Sequence, residues 1–244
     1  MLMDLNLNHI ERICQETDDR LWSAYLRSTG DNSGTLYDPR LIFPVYSGRK
    51  DGTIRVSEQE ARFVFTESLT TTPYYFSIET PTRQGYQLTG KRKMSAQTDL
   101  TLYARNRQPV LNVEFKAKGF SASARNLSTI KKDLQKLLRE PIAGMWFHIL
   151  QSVDNSTLPK LFGAITKSLC ETIEEFQRDI KKTQLIFHFC ILKHHFSLHK
   201  HIVITSGNNL LDELNGQFDF SYTVNRSSLI DVHNDNGWFV YKLW

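Results

Sequence analysis

Three residues open a chemical question: Asp99 in the run SAQTDLTLYA (95–104), and Glu114 with Lys116 in the run PVLNVEFKA (109–117). In an extended strand, successive side chains alternate between faces. Leu100, Leu102 and Ala104 then share one face, as do Leu111, Val113, Phe115 and Ala117, leaving Asp99 and Glu114–Lys116 on the other. With a turn centred near Asn106–Arg107, Tyr103 faces Val110 and Asp99 faces Glu114. Residues so paired carry β-carbons roughly 4.5–5.5 Å apart. Like charges facing each other destabilise a hairpin, and a divalent cation offsets that repulsion directly. Mg²⁺ takes oxygen ligands, typically one or two carboxylates with waters and substrate phosphate. A lysine on the same face can orient or deprotonate a water, or stabilise charge on a phosphate oxygen. The chemistry this spacing predicts is metal-assisted phosphodiester hydrolysis, with Asp99 and Glu114 as ligands and Lys116 as their partner. The plain alternative is an exposed salt-bridge ladder joining these residues to Arg105, an arrangement worth little.

The surrounding elements must position those groups. Residues 7–27 carry Ile10, Ile13, Leu21, Trp22, Tyr25 and Leu26 at helical spacing. A short strand is predicted at LIFPVYS (41–47), with a turn at Asp51–Gly52. Ser57 opens a helix, and Glu60 three residues on completes a capping box. Strands follow at 73–80, 95–104 and 109–117, then a helix near 126–140 with Ile130, Leu134, Leu137 and Leu138 on one face, then a strand at 143–150. Beyond lie a helix at 157–180 and strands near 184–193, 200–205, 217–224 and 237–243. The fold class is α/β with one central sheet. Its expected organisation is an N-terminal helical extension (1–54), a core (55–150), and a C-terminal helix and strands packed on or extending it (151–244).

This order and these residues resemble the PD-(D/E)XK, or restriction-endonuclease-like, nuclease superfamily. That core runs helix, three strands, helix, strand. Its signature places an Asp on the second strand and Glu-x-Lys on the third, matched here by Asp99 and Glu114–Phe115–Lys116. The resemblance spans about residues 55–150, and Gln97–Thr98 stands before Asp99 with no proline. It implies Mg²⁺-dependent cleavage, with Mn²⁺ as a substitute, of DNA, less often RNA, in restriction, phage defence, repair or recombination. It also implies a glutamate from the preceding helix at the metal; Glu60 is preferred to Glu67, although Glu60 has its own use as a cap. Such proteins often work as homodimers or with a partner subunit. A catalytically silent subunit that binds nucleic acid is the alternative.

Charge supports a polyanionic partner. Residues 83–140 hold 13 Lys/Arg and 4 acids, a net +9 in a chain of net +4, the footprint expected for nucleic acid. Lys91, Arg92 and Lys93, before the Asp99 strand, are candidate phosphate contacts, as are Lys118 and Lys131. The stretch KHHFSLHKH (193–201) offers His194, His195, His199 and His201 as zinc ligands, but without a fixed fourth partner it reads as a surface hairpin turn. Aromatics from Phe218 to Trp244 suit base stacking or, more ordinarily, a sheet core. Three cysteines without paired spacing suggest buried thiols in a reducing compartment. No apolar run reaches eighteen residues, and acids interrupt the N-terminus where a signal peptide needs basic and apolar regions. A cytoplasmic location is expected, with no membrane association.

Overall fold

The computed structural model describes residues 5–30, 37, 40–44, 54–86, 94–117, 124–151, 157–176, 184–192, 196–204 and 239–242. Its elements are α1 (Leu7–Ser28), α2 (Glu58–Ser68) with a 3₁₀ turn at Leu69–Thr71, β1 (Tyr75–Tyr86), β2 (Met94–Tyr103), β3 (Pro109–Lys116), α3 (Ala124–Arg139), β4 (Ala143–Gln151), α4 (Thr157–Phe176), β5 (Leu185–Leu192), β6 (Phe196–Ile204) and β7 (Phe239–Lys242). The expected strand at 41–47 is not formed at residues 41–44, where Phe43 is instead an irregular buried plug; Ile54 makes an isolated bridge. The expected strand at 217–224 lies outside the described residues.

Seven strands form one mixed sheet in chain order, β1 to β7. The pairs β1–β2 and β2–β3 are antiparallel, β3–β4 and β4–β5 parallel, and β5–β6 and β6–β7 antiparallel. Helices cover both faces. Parallel strands enclosed this way should read as unbroken apolar runs, and β5, LIFHFCIL, is buried at every position.

One face carries Leu100, Leu111, Phe115, Phe147 and Ile186 against α1 and α2. Phe65 of α2 anchors it, its ring 5.4 Å from Phe115 and 5.8 Å from Phe147. The other face carries Trp146, Leu150, Phe187 and Phe189 against α3 and α4. Residues 10–26 of α1 share the first core with β2, β3 and β4, and β5–β7 continue the same sheet, so the divisions near 54 and 150 do not separate cores. No described helix is long and apolar enough to cross a membrane.

Two local devices set the candidate site. The β2–β3 connection is a three-residue turn, Arg105–Arg107, closed by Ala104 N–H to Gln108 O, with Arg107 at φ 62°, the left-handed residue that a bulged hairpin of this length needs. Tyr103 therefore pairs with Pro109, not Val110. A bulge then restores the expected register, Leu102↔Leu111 through Leu100↔Val113. Gly144 on β4 supplies the second device. A Cβ there would stand 3.0 Å from Leu137 O, so its hydrogen lets α3 lie directly on the sheet beside β3.

Candidate metal and phosphodiester site

The paired ladder of β2 and β3 is recorded as far as Leu100↔Val113. Beyond that pair the Asp99 side chain takes over: its Oδ2 accepts the Phe115 backbone N–H at 2.8 Å. Asp99 is thus held beside Glu114 by the backbone of the residue that follows Glu114. Arg62 of α2 approaches the Asp99 carbonyl at 3.4 Å.

Glu114 is 1% exposed, under α3. Its Oε2 accepts from Lys136 Nζ at 2.7 Å, while its buried Oε1 has no hydrogen-bond partner among the described residues. Lys116 Nζ lies 2.8 Å from Asp133 Oδ2, and Lys136 Nζ lies 2.9 Å from Asp133 Oδ1 and 3.0 Å from the Gln97 carbonyl. Asp133 therefore clasps two ammonium groups, and Lys136 links it to Glu114. The exposed ladder considered from sequence is not what forms; these pairs are mostly buried and centred on α3.

Three carboxyl groups, those of Asp99, Glu114 and Asp133, meet two ammonium groups, those of Lys116 and Lys136. Burial pushes the Glu114 carboxyl well above its ordinary range, with Asp133 and then Asp99 adding to it against Lys136 and Lys116. Burial works the same way on Asp133, but its two ammonium partners overcome it and hold its pKa below 3.8. Burial opposes the charge of Lys116 too, yet Asp133, Glu58 and Glu114 outweigh it and hold the group firmly as ammonium. Lys116 in this setting stabilises negative charge and does not accept a proton. An orphaned buried carboxyl oxygen with a second carboxyl group beside it is what a hard divalent cation fits.

The α2 acids divide differently from expectation. Glu60 turns back on its own helix: Oε2 accepts the Ser57 N–H at 2.6 Å while the Ser57 hydroxyl accepts the Glu60 N–H. Glu67 lines a separate hollow with Arg20, Tyr37 and Arg40. Glu58, the first residue of α2, is the acid whose charge reaches Lys116. Lys131 points to α4, 3.0 Å from Glu175 and 3.3 Å from Glu171. Lys91, Arg92, Lys93 and Lys118 lie outside the described residues, as do His194 and His195.

A cleft of about 450 Å³ adjoins the cluster, lined by Tyr86, Gln97, Lys132, Asp133 and Lys136 among others. Glu140 shapes its wall by accepting from the Arg83 and Gln84 backbone and from the Tyr86 hydroxyl. Sequence reading missed Asp133, Lys136 and Glu58. The acid–lysine pair three apart on α3 was a usable signal, because such residues share a helix face.

Comparison with known proteins gives no match to a family model, to a curated sequence or to a solved structure.

Proposed function

We propose that this chain is a divalent-cation-dependent nuclease that hydrolyses phosphodiester bonds in nucleic acid, DNA ahead of RNA, on a core of the PD-(D/E)XK kind. One observation carries the reading: Asp99 and Glu114 stand together where the β2–β3 ladder gives way, with Lys116 as an ammonium beside them and Glu114 Oε1 buried without a partner among the described residues. The element order α2, three antiparallel strands, α3 and a parallel β4 supports it.

Asp99 and Glu114 are the residues to hold Mg²⁺ (or Mn²⁺), which when bound supplies Lewis acidity and a more acidic water. The chain's own groups do the rest. The Phe115 N–H fixes the Asp99 carboxylate, and Lys136 fixes one oxygen of Glu114. Lys116 stabilises charge gathering on phosphate oxygens, releasing Asp133 as it does so. Lys132 and Lys136 line the cleft where the flanking backbone phosphates would be neutralised.

The test is incubation of the chain, beside Glu114→Ala and Lys116→Ala, with linear DNA, supercoiled DNA and RNA in Mg²⁺, Mn²⁺ or chelator. Metal-dependent cleavage is expected in the parent, with losses of roughly 10²–10³-fold or more in each variant, both still folded by circular dichroism. Undiminished cleavage by either variant overturns the assignment. A second reading, a silent subunit that binds nucleic acid, draws on Asp133 satisfying both lysines at once; it predicts metal-independent binding without cleavage.

A further inference from the structure

On the opposite face of the sheet, six chemistry-bearing side chains meet inside the α1 core. Cys14 and Asp18 stand one turn apart on α1. Beneath them His188 and Cys190 of β5 pair across the sheet with His201 and His199 of β6. Of the segment read from sequence as a surface turn, residues 196–201 belong to strand β6, with His199 at 1% exposure. Cys14 and His188 are fully buried, with the Met145 sulfur 3.8 Å from the Cys14 sulfur and the Phe147 ring 4.8 Å from the His188 ring.

So many polar groups in an apolar core need a reason, since each costs free energy unless it is satisfied. Their hydrogen bonds point to one. His188 Nε2 lies 2.7 Å from Asp18 Oδ2, so it donates its proton there and leaves Nδ1 with a lone pair. That Nδ1 faces His201 Nδ1 at 3.1 Å. The His201 Nε2 atom is buried and lacks a hydrogen-bond partner among the described residues. Cys14 Sγ and one ring nitrogen from each of His188 and His201 all lie within 4.8 Å of one another. A carboxylate that orients an imidazole whose other nitrogen faces further donors is the outer-shell arrangement found around metal-bound histidines.

We propose that Cys14, His188 and His201 bind a soft-to-borderline transition metal, Zn²⁺ above all, with Asp18 orienting His188. Sulfur and imidazole donors select zinc over Mg²⁺, and with three protein donors the fourth tetrahedral position falls to a water. Charge closes as well: on binding, Cys14 releases its proton to solvent, and its thiolate with the Asp18 carboxylate balances the dication. His201, the least enclosed of the three, opens the route of entry. The ion joins α1 to β5 and β6, elements distant in sequence, and so acts as a staple for the N-terminal helix. This site is independent of the carboxylate cluster, which faces α3 on the other side of the sheet.

The test is metal analysis of the full chain purified without a metal-affinity step, followed by Zn²⁺ and Co²⁺ titration of the demetallated chain. About one zinc per chain is expected. Co²⁺ should give a thiolate charge-transfer band that Cys14→Ala abolishes while Cys170→Ala and Glu114→Ala keep it. Asp18→Asn should weaken Zn²⁺ binding roughly 10–100-fold, the usual effect of losing an outer-shell partner. If His188→Ala fails to fold, Cys14→Ala and His201→Gln carry the test. Failure of the parent to bind zinc, or binding with an unchanged cobalt spectrum in Cys14→Ala, overturns the proposal.

Discussion

Lys136 reaches down from α3 to place its ammonium 2.7 Å from the Glu114 carboxylate, a pair in which the acid is 1% and the lysine 12% exposed. Breaking such a pair strands a buried charge, at a cost of roughly 3–5 kcal/mol. Lys136→Met should therefore destabilise the chain by several kcal/mol in urea denaturation. The double variant Glu114→Gln/Lys136→Met should lose less than the two singles together, by about 1 kcal/mol or more. Strict additivity would show that the pair is not coupled.

Asp133, bound to both Lys116 and Lys136, carries a pH dependence of its own. Burial raises its pKa, but Lys116 and Lys136 outweigh that and hold it below the ordinary 3.8. Between the folded and unfolded values the unfolded chain binds more protons, so the stability Asp133 contributes is full above pH 3.8 and falls as pH drops through the folded value. Asn cannot titrate. The gap between parent and Asp133→Asn should be about 1.5–3 kcal/mol near neutrality, the range for hydrogen bonds to charged groups. It should shrink in acid, and urea midpoints at about pH 7, 5 and 3 check it.

Glu58 and Glu60 separate activity from stability. Glu60→Ala removes half of a reciprocal cap and should cost about 1 kcal/mol of stability while leaving the pH and metal dependence of cleavage unchanged. Glu58→Gln removes a charge that acts on Lys116 and should alter cleavage with little effect on unfolding. Thermal melts and initial rates on the same preparations distinguish the two, and reversed effects would return the candidate role to Glu60.

Lys131 should be silent toward nucleic acid. Its bonds to Glu171 and Glu175 tie α3 to α4, and partly exposed pairs of this kind are worth roughly 1 kcal/mol or less. Lys131→Ala should leave the slope of log affinity against log salt unchanged, whereas loss of a true phosphate contact reduces it by about one. A binding assay across a salt series settles the point.

Signals carried by neighbouring residues were legible in the sequence. The Ser57–Glu60 capping box, the alternation that puts Glu114 and Lys116 on one strand face, and the buried β4 and β5 runs all follow from local geometry. The expected register also holds from Leu102↔Leu111 to Leu100↔Val113, although a bulge and not a Tyr103–Val110 pair leads into it. What each polar group meets was not legible. Lys131, Lys132 and Lys136 share one helix, and which of them reaches the acids depends on how α3 is rotated. Leu137 seated against Gly144 sets that rotation.

By itself, then, the sequence determined an α/β fold and the placement of Asp99, Glu114 and Lys116 on adjacent strands, because strand periodicity and helix capping act within a few residues. Only the tertiary structure decided that Asp133 and Lys136 enclose those groups, and that His188 and His201 meet Cys14 across a long stretch of chain. Those outcomes rest on packing between elements up to 170 positions apart, as the Asp18–His188 bond shows, and a local pattern carries no information about contacts at that range.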